Sequence, residues 1–341
     1  MLRLPNFTLL QPQTLSEALA LLAVDPHNTA ILAGGTDLLP NMKRRQQTPR
    51  RLISLRHVSE LHKLAVSDAE IRIGGAVRLR AIEDAPIIAE EALALRQAVS
   101  QIATVHIRGT ATLGGNLCLD TRCDYYNQSE PWRQAIGYCK KKDGDICWVA
   151  TSSPRCLAVS STDAAPALMA LDAKVQLRSV RGDRELSLSD LYHNDGIHYL
   201  TKRPDELLTQ VRIPRRPGLR SAYWKLRRRG AFDFPLLGVA VAVQLDEEGL
   251  VRDARLALGA VSSQPILVEE AGKRLIGQEL TNDQIDEVAD AAYSLAKPMD
   301  HADMSLSYRK GMVRSLVRSA LREVRGDDIA ADRQRLMRML G

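Results

Sequence analysis

The chain has 341 residues, a net charge of +6, 45% hydrophobic and 4% aromatic side chains. That length allows two or three domains with separate cores, while the few aromatics and the lack of a recognition motif argue against a base-stacking nucleic-acid platform. No apolar run approaches the ~20 residues needed to cross a bilayer and no secretory signal is visible, so a cytoplasmic chain with neither membrane nor nucleic-acid partners is expected.

Residues 6–23 read as a short strand and then a helix. Thr14 with Glu17 three residues on makes a capping box, and Leu15, Ala18, Leu19 and Leu22 recur at helical spacing. Residues 29–33 read as a short buried strand running into Gly34, Gly35, Thr36 and Asp37. Paired glycines expose backbone N–H groups where an anion could sit, although a plain tight turn is the simpler account of this motif taken alone. A strand at 51–55 follows. Residues 70–79 read as strand, Gly-Gly turn and second strand, and 93–103 as a helix.

The stretch 107–165 carries the chemistry. It begins with a second glycine turn, Thr112, Leu113, Gly114, Gly115 and Asn116. Neither turn is a dinucleotide fingerprint or a P-loop. Together they could hold a pyrophosphate through backbone N–H groups, with Thr36, Thr112 and Asn116 as added donors. All five cysteines follow, Cys118, Cys123, Cys139, Cys147 and Cys156, separated by four, fifteen, seven and eight residues. In a reducing setting such clustering favours metal or redox chemistry over disulfides. The close Cys-x-x-Cys pairs of zinc sites are missing. Wide spacing suits a loop wrapped around a larger inorganic core with four thiolate corners, and the spacing does not decide which four of the five serve. The flanking residues are so polar that a metal would supply the ordering energy.

A buried helix is expected at 164–170 with Asp163 as its N-cap, then an alternating strand at 174–179 and a loop through 186–198 that holds Tyr192, His198 and Tyr199. Residues 206–213 read as a helix start and then a strand. Arg215, Arg216, Pro217 and Gly218 mark a domain boundary. Three strands follow at 221–229, 238–245 and 250–260. Val239, Val241, Val243 and Leu245 alternate there as in a sheet with one wet face. Helices at 268–276, 282–295 and 306–324 precede a charged tail, 327–340. Its few large apolar residues are Ile329, Leu336 and Met339, and it reads as either a frayed or a partner-docking helix. No Ser–His–Asp set or His-Glu-x-x-His motif appears, so no catalytic residue is assigned.

The run Ala33, Gly34, Gly35, Thr36, Asp37, Leu38 and the run 107–117 resemble the two FAD-binding motifs of molybdenum hydroxylase flavoprotein subunits, the medium subunits of xanthine and CO dehydrogenases. Residues 161–166 are similar to that family's flavin-contacting turn. Tyr223, Trp224 and Lys225, with Phe232, Asp233 and later Val239, resemble the entry to its C-terminal domain, and Tyr308 and Arg309 its terminal helix. The resemblance implies an α+β chain and an oxidoreductase subunit. Residues 1–216 would be an FAD-binding PCMH-type region of two subdomains, 1–60 and 61–216. Residues 217–325 would be an α/β domain of the CO dehydrogenase flavoprotein type, and 326–341 a tail. It also implies roles: Gly34, Gly35, Gly114 and Gly115 at the FAD diphosphate, with Thr36, Thr112 and Asn116 donating to it. Asp37 would brace its loop and Asp163 would bond the ribityl or ring region. Lys225 and Asp233 would sit near the ring or hold the C-terminal domain against it.

Ordinary members of the family lack the insertion at about 119–158. It is similar to that of the beta subunit of 4-hydroxybenzoyl-CoA reductase, which binds a 4Fe–4S cluster. This resemblance implies Cys123, Cys139, Cys147 and Cys156 as ligands, with Cys118 the odd one near the flavin motif. It implies as partners a large molybdenum-cofactor subunit, a small subunit with two 2Fe–2S clusters, and ferredoxin as electron donor. Electrons would enter at the cluster and pass through FAD and the small subunit to molybdenum, where a phenolic hydroxyl is removed reductively. Two other readings are the FAD subunit of another molybdenum hydroxylase and a zinc-binding structural assembly subunit.

Overall fold

The computed structural model describes residues 2–338. Three parallel strands, β1 (Thr8–Leu10), β2 (Thr29–Leu32) and β3 (Arg51–Ser54), form a first sheet in the order β1-β3-β2. Between β1 and β2 runs α1 (Leu15–Val24). Thr14 Oγ1 accepts from the Glu17 N–H at 3.1 Å, and Glu17 reaches back to the Gln13 N–H at 2.8 Å, one residue earlier than a standard capping box. Leu15, Ala18, Leu19 and Leu22 are buried against Ile53 and Leu55. β2 was expected to be buried and is only half-buried, because it is an edge strand whose residues line a cavity. After β2 comes α2 (Leu38–Lys43), which the sequence reading passed over.

The second sheet holds β4 (Leu64–Val66), β5 (Glu70–Gly74), β6 (Lys174–Ser179), β7 (Gly182–Ser187) and β8 (Leu207–Pro214), in the antiparallel order β4-β5-β8-β6-β7. The second strand expected after Gly74 and Gly75 is not there. The Val77 N–H bonds back to the Gly74 carbonyl, and α3 (Leu79–Asp84) begins at once. β7, only the last two residues of which fall in the expected loop, pairs along its length with β6. β8 has no helical start, since Glu206 accepts from the Arg203 N–H at 2.7 Å and closes a turn instead. There follow α4 (Pro86–Glu91), α5 (Leu93–Ser100), α6 (Val105–Arg108), α7 (Leu113–Leu117), α8 (Glu130–Ala135) of the cysteine-bearing stretch, and α9 (Ala164–Ala170); α3, α4, α5, α7 and α9 share one core with this sheet. Every residue of α9 is buried.

The third sheet is antiparallel: β9 (Arg220–Leu226), β10 (Leu237–Leu245), β11 (Val251–Gly259) and β12 (Ile266–Leu267), in the order β12-β11-β10-β9. The expected wet face does not exist. Val239, Val241 and Val243 pack into a core with α10 (Glu269–Leu275), α11 (Asn282–Leu295) and α12 (Leu306–Arg325). The alternating Ala240 and Ala242 pack into the core of the preceding region, beside α5 and α9. Large residues therefore mark the side facing the C-terminal helices, and small ones the side where two helices of the other region come close. The tail forms α13 (Ala330–Arg338), with Ile329 and Leu336 packed on the C-terminal core. Met339 lies outside the described residues. Among the described residues no helix is long and apolar enough to cross a membrane.

Candidate functional site

The two glycine turns meet backbone to backbone. A Cβ on Gly34 would stand 2.3 Å from the Thr110 carbonyl oxygen, and one on Gly114 would stand 2.7 Å from that of Gly75. Gly35 takes a φ of +69°, open to glycine at little cost. Thr112 caps α7, its Oγ1 accepting from the Gly115 N–H at 3.2 Å, which leaves the hydroxyl proton free to donate. Asp37 pairs with Arg122 and accepts from Asn41 at 3.0 Å.

The turns open into a cavity of about 490 Å³, within the range of small-molecule and cofactor sites. Its wall includes Ala33, Gly34, Gly35, Thr36, Asp37 and Leu38 from the first turn. Thr112, Gly114, Gly115 and Asn116 come from the second, and Asp163 and Asp233 from farther along the chain. Asn116 spends its carbonyl oxygen on Thr162 Oγ1 (2.7 Å) and the Ala164 N–H (3.2 Å), joining α7 to the start of α9. Ser161 lines the same wall, and its buried hydroxyl has no hydrogen-bond partner among the described residues. Such an orphan is costly unless a ligand or water answers it, and it fits a polar cofactor there. Sequence reading did not single out Ser161 as a donor. Its place in the 161–166 run was the available signal.

Asp163 and Lys225 form a buried pair at the edge of the cavity. Asp163 is 3% exposed, and its carboxylate accepts from Tyr223 Oη at 2.7 Å and from Lys225 Nζ at 3.0 Å. Burial pushes the Asp163 carboxyl up and the Lys225 ammonium down, and the ion pair opposes both shifts. Lys225 is not in the cavity wall. Its other bond goes to the Gln101 carbonyl, so it ties β9 to the end of α5, as one of the two roles expected for it requires. Asp233 is in the wall, held by Arg229 at 3.1 Å on a loop whose Phe232 and Phe234 also line the cavity. Arg122 stacks on Phe234 with 4.8 Å to the ring centroid.

The five thiols separate into two places. Cys118 lines the large cavity. Cys123, Cys139, Cys147 and Cys156 are all buried and line one small pocket of about 10 Å³ with Tyr126, Lys141 and Trp148. Polar as its flanks are, the stretch has a small core of its own: Cys123, Tyr126, Cys139, Cys156 and Ala158, flanked by Trp148 and Ile197. Burial pushes the Cys123 thiol up to about 12 and the Cys156 thiol up to about 11. Thiolates there need a cation to hold them deprotonated. Among the described residues no three His, Cys, Asp or Glu side chains are arranged to hold one metal ion. What fits a metal centre is thus the donor set, four buried soft ligands facing one space, and not a preformed single-ion cage.

Residues 5–216 match the model of the FAD binding domain in molybdopterin dehydrogenase, and 221–324 that of the CO dehydrogenase flavoprotein C-terminal domain. The chain is 31% identical to the aldehyde oxidoreductase FAD-binding subunit PaoB of Escherichia coli K12, over 94% of this chain and 98% of that protein. It is 29% identical to the nicotinate dehydrogenase FAD-subunit of Eubacterium barkeri, over 91% and 93% of the two chains. In structure it is similar to a chain of reconstituted CO dehydrogenase from Oligotropha carboxidovorans, with a TM-score of 0.78 at 25% identity, over 95% of this chain and 99% of the other. A cavity built from two glycine turns, in a chain matched nearly end to end, makes this protein a member of the FAD-binding medium-subunit family of the molybdenum hydroxylases, an oxidoreductase subunit of the CO dehydrogenase and xanthine dehydrogenase type.

Proposed function

We propose that this chain is the electron-entry subunit of a molybdenum enzyme, carrying FAD in the large cavity and a 4Fe–4S cluster on Cys123, Cys139, Cys147 and Cys156. The observation that carries the reading is the convergence of four buried cysteines on one pocket beside the flavin cavity. Bound FAD supplies exchange between one-electron and two-electron carriers. Gly34 and Gly35 let backbone N–H groups approach its diphosphate, Gly114 and Gly115 let the second turn lie close to it, Thr36, Thr112 and Asn116 donate side-chain bonds, and Ser161 offers one more hydroxyl. Asp233 and the two phenylalanines beside it screen the cavity from water, and Asp163 with Lys225 keeps the two domains closed on it. The divisions at 60, 216 and 325 are those of its subdomains, C-terminal domain and tail.

The partners in this reading are a large molybdenum-cofactor subunit and a small subunit with two 2Fe–2S clusters, in the cytoplasm, with ferredoxin as donor. The holoenzyme reaction is reductive dehydroxylation of 4-hydroxybenzoyl-CoA, on the strength of the insertion. A second reading is favoured by the relatives themselves, named for aldehydes and nicotinate: the same electron-transfer role in a hydroxylase of another substrate. The zinc-binding assembly reading has no comparable support.

The test is anaerobic purification followed by a visible spectrum and assays of iron, sulfide, zinc and FAD. About four irons and one FAD per chain are expected. FAD without iron or sulfide, with cluster loss during handling excluded, overturns the cluster. Turnover of the co-purified complex with 4-hydroxybenzoyl-CoA and a low-potential reductant, against aldehydes and nicotinate, separates the two substrate readings.

A further inference from the structure

Between the cysteine pocket and the flavin cavity lies one connected unit. Lys141 lines the cysteine pocket and Asp120 lines the flavin cavity. Their side chains are each 6% exposed and form an ion pair with Lys141 Nζ 2.8 Å from Asp120 Oδ1. All three protons of the ammonium have acceptors, since Nζ also donates to Thr121 Oγ1 at 2.7 Å and to the Gly196 carbonyl at 2.6 Å. The other carboxylate oxygen accepts from Tyr126 Oη and from Gln47 Nε2, each at 3.0 Å. Lys141 also lies over two rings, 4.9 Å from the Tyr126 centroid and 5.3 Å from that of Tyr199. Tyr126 belongs to the cysteine pocket and Tyr199 to the flavin cavity.

A buried lysine so fully satisfied is costly to desolvate and gains little over an apolar packing of the same shape. Its orientation gives it a use. The positive end faces the thiols and the negative end faces the flavin cavity, in surroundings where charges are weakly screened. We propose that the Lys141–Asp120 pair is a positioning and tuning device that sets the difference in reduction potential between the cysteine-bound cluster and the flavin. The inference rests on the cluster reading above. In each transfer one electron leaves the reduced cluster, which returns to its oxidised level, and enters the flavin. Two such transfers, with proton uptake from water, complete flavin reduction, and a one-electron donor of the ferredoxin or dithionite type refills the cluster each time. A cation near a thiolate-bound cluster favours its more negative, reduced level. An anion near the flavin disfavours flavin reduction.

The sign pattern makes the test. In the full-length chain purified anaerobically, with iron, sulfide and FAD measured, dithionite titrations followed by electron paramagnetic resonance and visible absorbance give both potentials. Lys141→Met lowers the cluster potential by about tenfold in the one-electron equilibrium, ~59 mV. Asp120→Asn, close to isosteric, raises the cluster potential and the flavin potential. Opposite shifts at one cluster are not what general loosening would produce. A loaded protein whose cluster potential is unmoved in Asp120→Asn, or moves the same way in both variants, overturns the inference and leaves the cluster in place. Wild-type protein without iron overturns the cluster reading itself. Should Lys141→Met fail to retain its cluster, Asp120→Asn decides alone.

Discussion

Asp163 resembles a flavin ligand in sequence and acts as a clasp in the fold. It starts α9 in the FAD-binding region, and both of its partners, Tyr223 and Lys225, come from β9 of the C-terminal domain. Replacing Asp163 by Ala leaves the Lys225 ammonium buried without its anion, which costs ~3–5 kcal/mol. The expected result is a lower unfolding midpoint and reduced FAD content in the purified variant. Full FAD content would remove Asp163 from any part in flavin retention. His301 offers a second residue-scale test. It is 1% exposed, its Nδ1 has no partner among the described residues, and Arg309 stands 3.3 Å from Nε2. Burial, helped by the Arg309 charge, lowers its pKa from 6.5 to about 3. Between those values the unfolded chain binds a proton that the folded one refuses. The stability tied to neutral His301 is therefore complete above about pH 6.5 and is lost as pH falls toward 3. Denaturant midpoints measured from pH 7 to pH 4 should fall more steeply for wild type than for His301→Asn.

At the scale of elements, the glycine turns were legible because they need no tertiary partner to be recognised. Their mutual contact was not, because the chain between Gly34 and Thr110 carries no sign of which backbone faces which. Gly34→Ala drives a methyl into the Thr110 carbonyl, backbone against backbone, with nothing flexible to give way. A loss of ~1–3 kcal/mol and of flavin is expected, measured by thermal unfolding and the absorbance of bound FAD. The strand β10 teaches the reverse lesson. Its valine–alanine alternation was visible and was read as one dry and one wet face. Alanine is small as well as weakly apolar, and here its size is what matters, since α5 and α9 pack against that side. In the cysteine stretch the thiols were visible as a group. The separation of Cys118 from the other four, and the lysine and tyrosine that lie between the two cavities, depend on how the loop folds back and leave no local trace.

For the whole molecule, the third sheet is joined to the preceding region by a shared apolar core and by well-placed polar groups. Gln97 of α5 accepts from the Tyr223 N–H at 2.6 Å and donates to Glu323 of α12 at 2.7 Å, so one side chain ties the FAD-binding region to a strand and a helix of the C-terminal domain. β9 is thereby an edge strand that is covered instead of open. The sequence made the two-part organisation readable through the Arg215–Gly218 break. It could not show that the second part closes the cofactor cavity of the first. A ligand held by the folded form alone stabilises it by mass action. Stripping FAD should lower the unfolding midpoint and speed proteolysis at the 227–235 loop, and added FAD should reverse both.

The cavity wall draws on residues as far apart as Leu22 and Phe234. On a ribosome, a chain that has emerged only through its two glycine turns still lacks Ser161, Tyr199 and Asp233. Flavin capture is expected to wait until the third sheet has begun. Flavin loading is then expected late in the making of this protein, and a truncated or stalled product should lack flavin absorbance.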